Sequence, residues 1–386
     1  MKLAERMNRL GTETAFEVLA RARALEAQGR SIVHLEIGEP DFDTPKHVVE
    51  AGVTALRGGE THYGPAAGLP VLRDAIARHV AKTRNCVVTP EQVLVTPGGK
   101  PVMFYAMLAL LQPGDEAIYP NPGFPIYESM IRYTGATAVA APLRAENGFR
   151  MDMAEVARLT NGKTRLLVCN SPGNPCGGVW TREDVESLVA LMRANPGLHV
   201  LTDEIYWRIL YDGEHVSPLS YKEVADRVIL LDGFSKAYAM TGWRLGFGVM
   251  HPSLLKACVQ LQINCASCTA SFTQIAGAAA LDGPQDAVDT MVAEFRRRRD
   301  FLVEGLNKIP GFRCQSPGGA FYVFPDIRGT GRTSAEVQHT LLNDAGVAAL
   351  SGTAFGAHGE GFVRFSYANS MANLERALKA IGNVFG

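Results

Sequence analysis

Asp232-Gly-Phe-Ser-Lys-Ala-Tyr-Ala-Met-Thr-Gly-Trp-Arg-Leu-Gly246 follows an apolar run, Val228-Ile-Leu-Leu231, that reads as a buried strand ending in a glycine turn. Ser235 and Lys236 therefore sit just beyond a strand end, where open α/β sheets place their ligands. A lysine amine in that place becomes a nucleophile toward carbonyls once apolar neighbours depress its pKa. Met240, Trp243 and Leu245 are the apolar residues this stretch offers. Arg244 follows on the return into a second glycine-punctuated run, Leu245-Gly-Phe-Gly-Val249, and its planar fork suits a phosphate.

Two further strand ends point the same way. Gln92-Val-Leu-Val-Thr96 reads as a strand, and Pro97-Gly-Gly-Lys100 then opens a helix through Leu111. Gly98 and Gly99 at such a turn let backbone N–H groups and the positive helix end face an anion. His199-Val-Leu-Thr-Asp-Glu-Ile-Tyr206 is a short strand that delivers Asp203 at its carboxyl end, with Tyr206 on the following turn. An acid in that position serves either as a helix cap or as the partner of a buried cation. An amine for a carbonyl, an arginine for a phosphate and a carboxylate for a protonated ring nitrogen together suggest pyridoxal 5′-phosphate.

The string Ser-Lys-x-x-x-Met-Thr-Gly-Trp-Arg, from Ser235 to Arg244, resembles the cofactor-lysine motif of the fold-type I pyridoxal phosphate enzymes, the aspartate aminotransferase-like class I/II family. Further motifs follow in the family's order along nearly the whole chain. They are Gly38-Glu-Pro-Asp-Phe42, Thr61-His-Tyr-Gly-Pro-Ala-Ala-Gly68, Asn170-Ser-Pro-Gly-Asn-Pro-Cys-Gly-Gly178 and the strand Gly361-Phe-Val-Arg-Phe-Ser-Tyr367. The resemblance implies that Lys236 carries the cofactor, with Ser235 among the cofactor-binding positions. It also implies that Asp203 pairs with the ring nitrogen and that Phe124 stacks on the ring. Asn174 and Tyr206 would reach the phenolic oxygen. Gly98, Gly99, Lys100, Arg244 and Tyr63 of a neighbouring subunit would hold the phosphate. Arg364, Asn174 and the Gly38 backbone would receive the substrate's α-carboxylate. Lys100 matches a position that, in one bacterial branch, also reads aspartate's side-chain carboxylate. Cys176 stands where the family usually has threonine, and Phe124 where it often has tryptophan or tyrosine.

With 386 residues, the chain is long enough for one large domain and a smaller one. Strands alternating with helices through its middle predict an α/β fold with a mostly parallel central sheet flanked by helices. The resemblance implies a large cofactor domain over residues 46–284 and a smaller α+β domain. Residues 285–386, joined by an N-terminal segment over 1–45, would form that smaller domain. A homodimer with shared active sites is implied as well.

A formal net charge of −1 offers nothing to nucleic acid or to an anionic membrane surface. No stretch has the apolar length of a membrane span, and the first residues lack the apolar core of a signal peptide. Seven cysteines, an odd number, fit a reducing cytoplasm. Cys265-Ala-Ser-Cys268 has no second pair at metal-site spacing and reads as small-residue packing, so no metal is expected. Arg296 to Arg299 reads as a solvated helix face.

These expectations converge on transfer of an amino group between an L-amino acid and a 2-keto acid, with glutamate or aspartate in a broad range. Two alternatives stand beside it. One is β-elimination of the C–S lyase type on the same fold. The other is the effector-binding domain of a regulator, for which the segment ahead of Gly38 is short.

Overall fold

A computed structural model describes all 386 residues. Its centre is a seven-stranded sheet in the order Val93–Thr96, Gly246–Val249, Val228–Gly233, His199–Asp203, Thr164–Asn170, Glu116–Asn121, Thr137–Pro142. The last five strands in that order are mutually parallel, and Gly246–Val249 runs antiparallel to both its neighbours. The runs Val-Ile-Leu-Leu-Asp-Gly and Val-Leu-Val-Thr are buried at every residue. Continuous burial is what a sheet covered on both faces demands. Alternate residues duly divide between two cores. Val228 and Leu230 join a 36-residue cluster on one face, while Ile229 and Leu231 join a 21-residue cluster on the other.

The antiparallel strand has a consequence for the site. Asp232 to Gly246 leaves the sheet and returns beside its own strand, so Gly233 pairs directly with Gly246 and closes the lysine segment into a loop. A Cβ on Gly246 would lie 2.5 Å from the backbone of Gly98 and Gly99, so a bare α-carbon is what allows the two loops to touch.

A third core of 27 residues gathers Val33 and Leu35 with side chains between Met291 and Ile381, and takes in Tyr206, Ile209 and Tyr211 from the segment after the strand His199–Asp203. The segment ahead of Gly38 contributes a two-residue strand, Val33–His34, paired in parallel with Val347–Ala348. It stops there because Gly38-Glu-Pro40 turns the chain toward the cavity. Nearby, Leu350–Ser351, Val363–Ser366 and Tyr322–Val323 form a small antiparallel sheet with Val363–Ser366 in the middle. After Pro252 the chain forms two helices, Pro252–Ala266 and Ser271–Asp282, with Cys268 in the break between them.

One expectation is corrected. The arginines of the helix Asp286–Leu306 do not all face water: Arg298 and Arg299 are 7% and 6% exposed. Arg298 pairs with Asp41 at 2.6 Å and Glu294 at 2.9 Å, and Arg299 pairs with Asp212 at 3.0 Å. Four consecutive helical positions spread over about 300° of the helix circumference, so a run of that length cannot lie on one face. Two of its members must point inward, where they need partners.

Candidate active site

The amine of Lys236 donates to the carbonyl of Gly38. The rings of Phe321 and Tyr206 lie 5.7 and 6.0 Å from it. Burial pushes this amine down to about 8; Arg364 and Lys100 add to the drop, while Glu39 and Glu13 oppose it. The apolar wall does not come from the lysine's own loop. Met240 and Leu245 turn into the 36-residue core, and Trp243 packs against Gly52 and donates to Thr44.

Asp203 ends its strand 8% exposed. The phenol of Tyr127 donates to its Oδ2 at 2.6 Å, and the N–H of Ile205 donates to Oδ1 at 3.2 Å. Burial nevertheless pushes the carboxyl up to about 6. Asn170 ties this strand end to the next loop, since its Nδ2 donates to the Asp203 carbonyl at 2.9 Å and its Oδ1 accepts from the N–H of Asn174 at 2.8 Å. The hydroxyls of Tyr206 and Tyr322 stand 2.8 Å apart, and burial pushes both phenols up.

Arg364, on the middle strand of the small sheet, is 4% exposed. Its Nη1 donates to Asn174 Oδ1 at 3.1 Å, its Nη2 donates to the carbonyl of Glu36, and its Nε is buried without a partner. The rings of Tyr322 and Phe355 hold the guanidinium at 4.5 and 4.9 Å. A Cβ on Gly38 would fall 2.1 Å from the Tyr322 hydroxyl, so this turn tolerates only a glycine against that phenol.

Arg244 takes a left-handed backbone, φ 53°, and its Nη1 donates to the carbonyl of Thr241 at 2.7 Å. Gly98 lies behind it, with room for a Cβ only 2.3 Å from the guanidinium. Lys100 opens the helix Lys100–Leu110 and pairs with the carboxylate of Glu13; the Phe124 ring lies 5.4 Å from its amine.

Eleven of the thirteen expected positions line one cavity of about 380 Å³: Gly38, Gly99, Lys100, Phe124, Asn174, Asp203, Tyr206, Ser235, Lys236, Arg244 and Arg364. Gly98 sits one layer back. Tyr63 lies outside and is 90% exposed. A larger groove of about 680 Å³, beside Asn8 to Thr12, shares only Phe124 with this cavity and holds no lysine.

Sequence reasoning missed Tyr127, Asn170, Tyr322, Glu39 and Glu13, which also line the cavity. Asn170 and Glu39 lie within strings already singled out, and Tyr127 stands three residues after Phe124, so position alone could have raised them. Glu13 carried no signal. A supporting group was missed as well. Arg84, with its side chain wholly buried, donates to Glu204 at 3.0 Å and to Asp232 at 2.7 Å, and stacks 4.1 Å over Trp207. His215 and Ser217 complete the shell of Glu204 at 2.8 and 2.6 Å. This cluster joins the residue after Asp203 to the residue that begins the lysine loop.

A doubly wound sheet whose carboxyl ends present a lysine of lowered pKa, a buried acid and an arginine with an unsatisfied donor describes an enzyme for anionic substrates. Comparison with known proteins names the family. Residues 30–381 match Aminotransferase class I and II, and the chain belongs to that family. It is 38% identical to the aspartate/prephenate aminotransferase of Thermus thermophilus, over 100% of this chain and 99% of that one. The crystal structure of the aspartate aminotransferase from Rhizobium meliloti superposes with a TM-score of 0.95 at 35% identity, covering 100% of this chain and 98% of that one. An aromatic aminotransferase from Pyrococcus horikoshii gives 0.90 at 38% identity, covering 95% and 98%. The chain is an aminotransferase, of a family that generally depends on pyridoxal phosphate, and neither elimination nor effector binding is favoured. No helix is long and apolar enough to cross a membrane.

Proposed function

We propose that the cavity holds pyridoxal 5′-phosphate and moves the amino group between L-amino acids and 2-keto acids, glutamate or aspartate among them. The observation that carries this reading is Lys236, an amine brought down to about 8 in the cavity that Asp203 and Arg364 also line. When bound, the cofactor would supply the electron sink for bond breaking at the substrate's Cα.

The chain's donor set fits that group. Asp203 is penalised by burial, and a protonated ring nitrogen would offset the penalty. At the start of the helix Lys100–Leu110, Pro101 has no N–H and that of Val102 donates to the carbonyl of Gly99, so the N–H groups of Gly99 and Lys100 are the ones offered to a phosphate beside Arg244 and Ser235. Phe124 offers a ring face, while Asn174 and Tyr206 offer donors to a phenolic oxygen.

Arg364 would take the substrate's α-carboxylate, using the Nε that otherwise has no partner, with Asn174 and the Gly38 backbone beside it. Lys236 Nζ would then take the proton from Cα and return it at the cofactor's C4′. An amine near 8 is partly unprotonated at neutral pH, as that shuttle requires. Relatives named for aspartate, for prephenate and for aromatic substrates support a broad range.

Tyr63, exposed in one chain, would complete the phosphate site of a second copy in a homodimer. Residues 46–284 would form the large domain, with 1–45 and 285–386 forming the small one, in keeping with the 27-residue core that joins Val33 to the C-terminal third. Seven free cysteines support a cytoplasmic setting.

The test is Lys236→Ala. The variant should lose the wild-type cofactor absorbance and transaminate several orders of magnitude more slowly, whereas near-wild-type turnover would refute the assignment. Keto acid accompanied by ammonia, instead of by a new amino acid, would point to elimination.

A further inference from the structure

Lys100 is the one cation in the cavity that the proposed function leaves available for a substrate side chain, and it is already matched. Its amine pairs with the carboxylate of Glu13, 87 residues away in sequence. Glu13 immediately precedes Thr14, the N-cap of the helix Ala15–Glu26, and Ala15 and Phe16 of that helix line the same cavity. Once Asp203, Lys236, Arg244 and Arg364 are assigned, the charges that remain on the wall are Lys100, Glu13 and Glu39, the last accepting from Thr241. Together these three groups are net acidic. The influence of Glu13 also reaches the amine of Lys236 and the guanidinium of Arg364.

We propose that Glu13 determines specificity: its carboxylate occupies Lys100 and competes, from within the chain, with the distal carboxylate of a dicarboxylic substrate. An uncharged side chain makes no demand on Lys100 and leaves the pair intact. A dicarboxylate must instead displace Glu13 or share Lys100 with it. The Lys100 side chain is 52% exposed, so the pair is solvated enough to exchange with a ligand. Glu13 thus lowers the discrimination that Lys100 would otherwise give, and it broadens the range toward uncharged amino acids. This inference rests on the proposed function, because it takes Arg364 as the seat of the common carboxylate.

The experiment is calorimetric titration of the pyridoxal-phosphate-loaded protein with succinate and with butyrate, which differ by the distal carboxylate. Glu13→Gln should raise the preference for succinate over butyrate by about fivefold, the upper end of what relieving one partly solvated ion pair gives. Lys100→Met should move the same ratio the other way. In steady-state kinetics, the ratio of kcat/KM for glutamate to that for glutamine should follow both changes. A purely structural role for Glu13 would weaken both ligands alike. A rise of less than about threefold in the binding ratio, or a fall, overturns the inference. Should Glu13→Gln not fold, Glu13→Ala is judged by the same criterion. If neither acid binds the wild type, the assignment of Arg364 fails and carries this inference with it.

Discussion

Replacing Arg84 by methionine tests whether the buried cluster beneath the site holds the strand ends together. The substitution keeps most of the stem volume but removes a guanidinium that is wholly buried and bonded to Glu204 and Asp232. Both carboxylates are left in the interior, 1% and 2% exposed. Breaking a buried pair by removing one partner costs about 3–5 kcal/mol. His215 and Ser217 remain against Glu204, so the cost should come chiefly from Asp232. For a chain of this length unfolding as one unit, that range lowers Tm by roughly 4–6 °C.

The deficit should also depend on pH. In the wild type, burial holds Asp232 up to about 7 despite Arg84. A raised acid contributes its stability below the unfolded pKa and loses it as pH climbs through the folded value. Without Arg84 the folded value rises further, so the variant loses more stability than the wild type between pH 6 and 8. Glu204, drawn down to about 2 against its own burial by His215 and to a smaller extent by Arg84, stays ionised across that window, so its share of the deficit is the same at pH 6 and pH 8. Differential scanning calorimetry at pH 6 and pH 8 should therefore show a larger deficit at pH 8. A loss below about 1 °C at both, or a deficit that grows on acidification, would refute the reasoning.

Two further outcomes follow from the cavity wall. Arg364→Leu should lower kcat/KM for every amino acid, by about 30- to 1,000-fold for a lost contact of 2–4 kcal/mol, since the α-carboxylate is common to all. If a substrate panel showed the loss confined to one class, Arg364 would be reading a side chain instead. Gly38→Ala puts a methyl where the Tyr322 hydroxyl stands, so it should displace that ring, break its contact with Tyr206 and destabilise the protein by about 1–3 kcal/mol. Wild-type kinetics together with an unchanged Tm would show that the turn yields freely.

The sequence by itself determined the class of sheet and set the candidate residues at its strand ends. Apolar runs buried from end to end, each closed by a glycine turn or an acid, are local signals. They located Lys236, Asp203 and the Gly98-Gly99 turn at strand ends before any contact was known. Motif order along the chain did the same for Asn174 and Arg364, which meet at 3.1 Å although 190 residues separate them.

Only the tertiary structure decided which groups face one another. Tyr127 became the partner of Asp203 because the helix Ile126–Thr134 packs over that strand end. Arg298 and Arg299 turned inward because a run of four cannot share one helix face. The lysine's apolar wall came from Tyr206 and Phe321 because its own loop spends Met240 and Leu245 on the core. Arg84 found Asp232 across 148 residues, and Glu13 found Lys100 from a segment with no pattern of its own. Periodicity and turn chemistry act between chain neighbours and can be read from one string of letters. An ion pair between distant segments depends on where each is carried by the packing of everything between them.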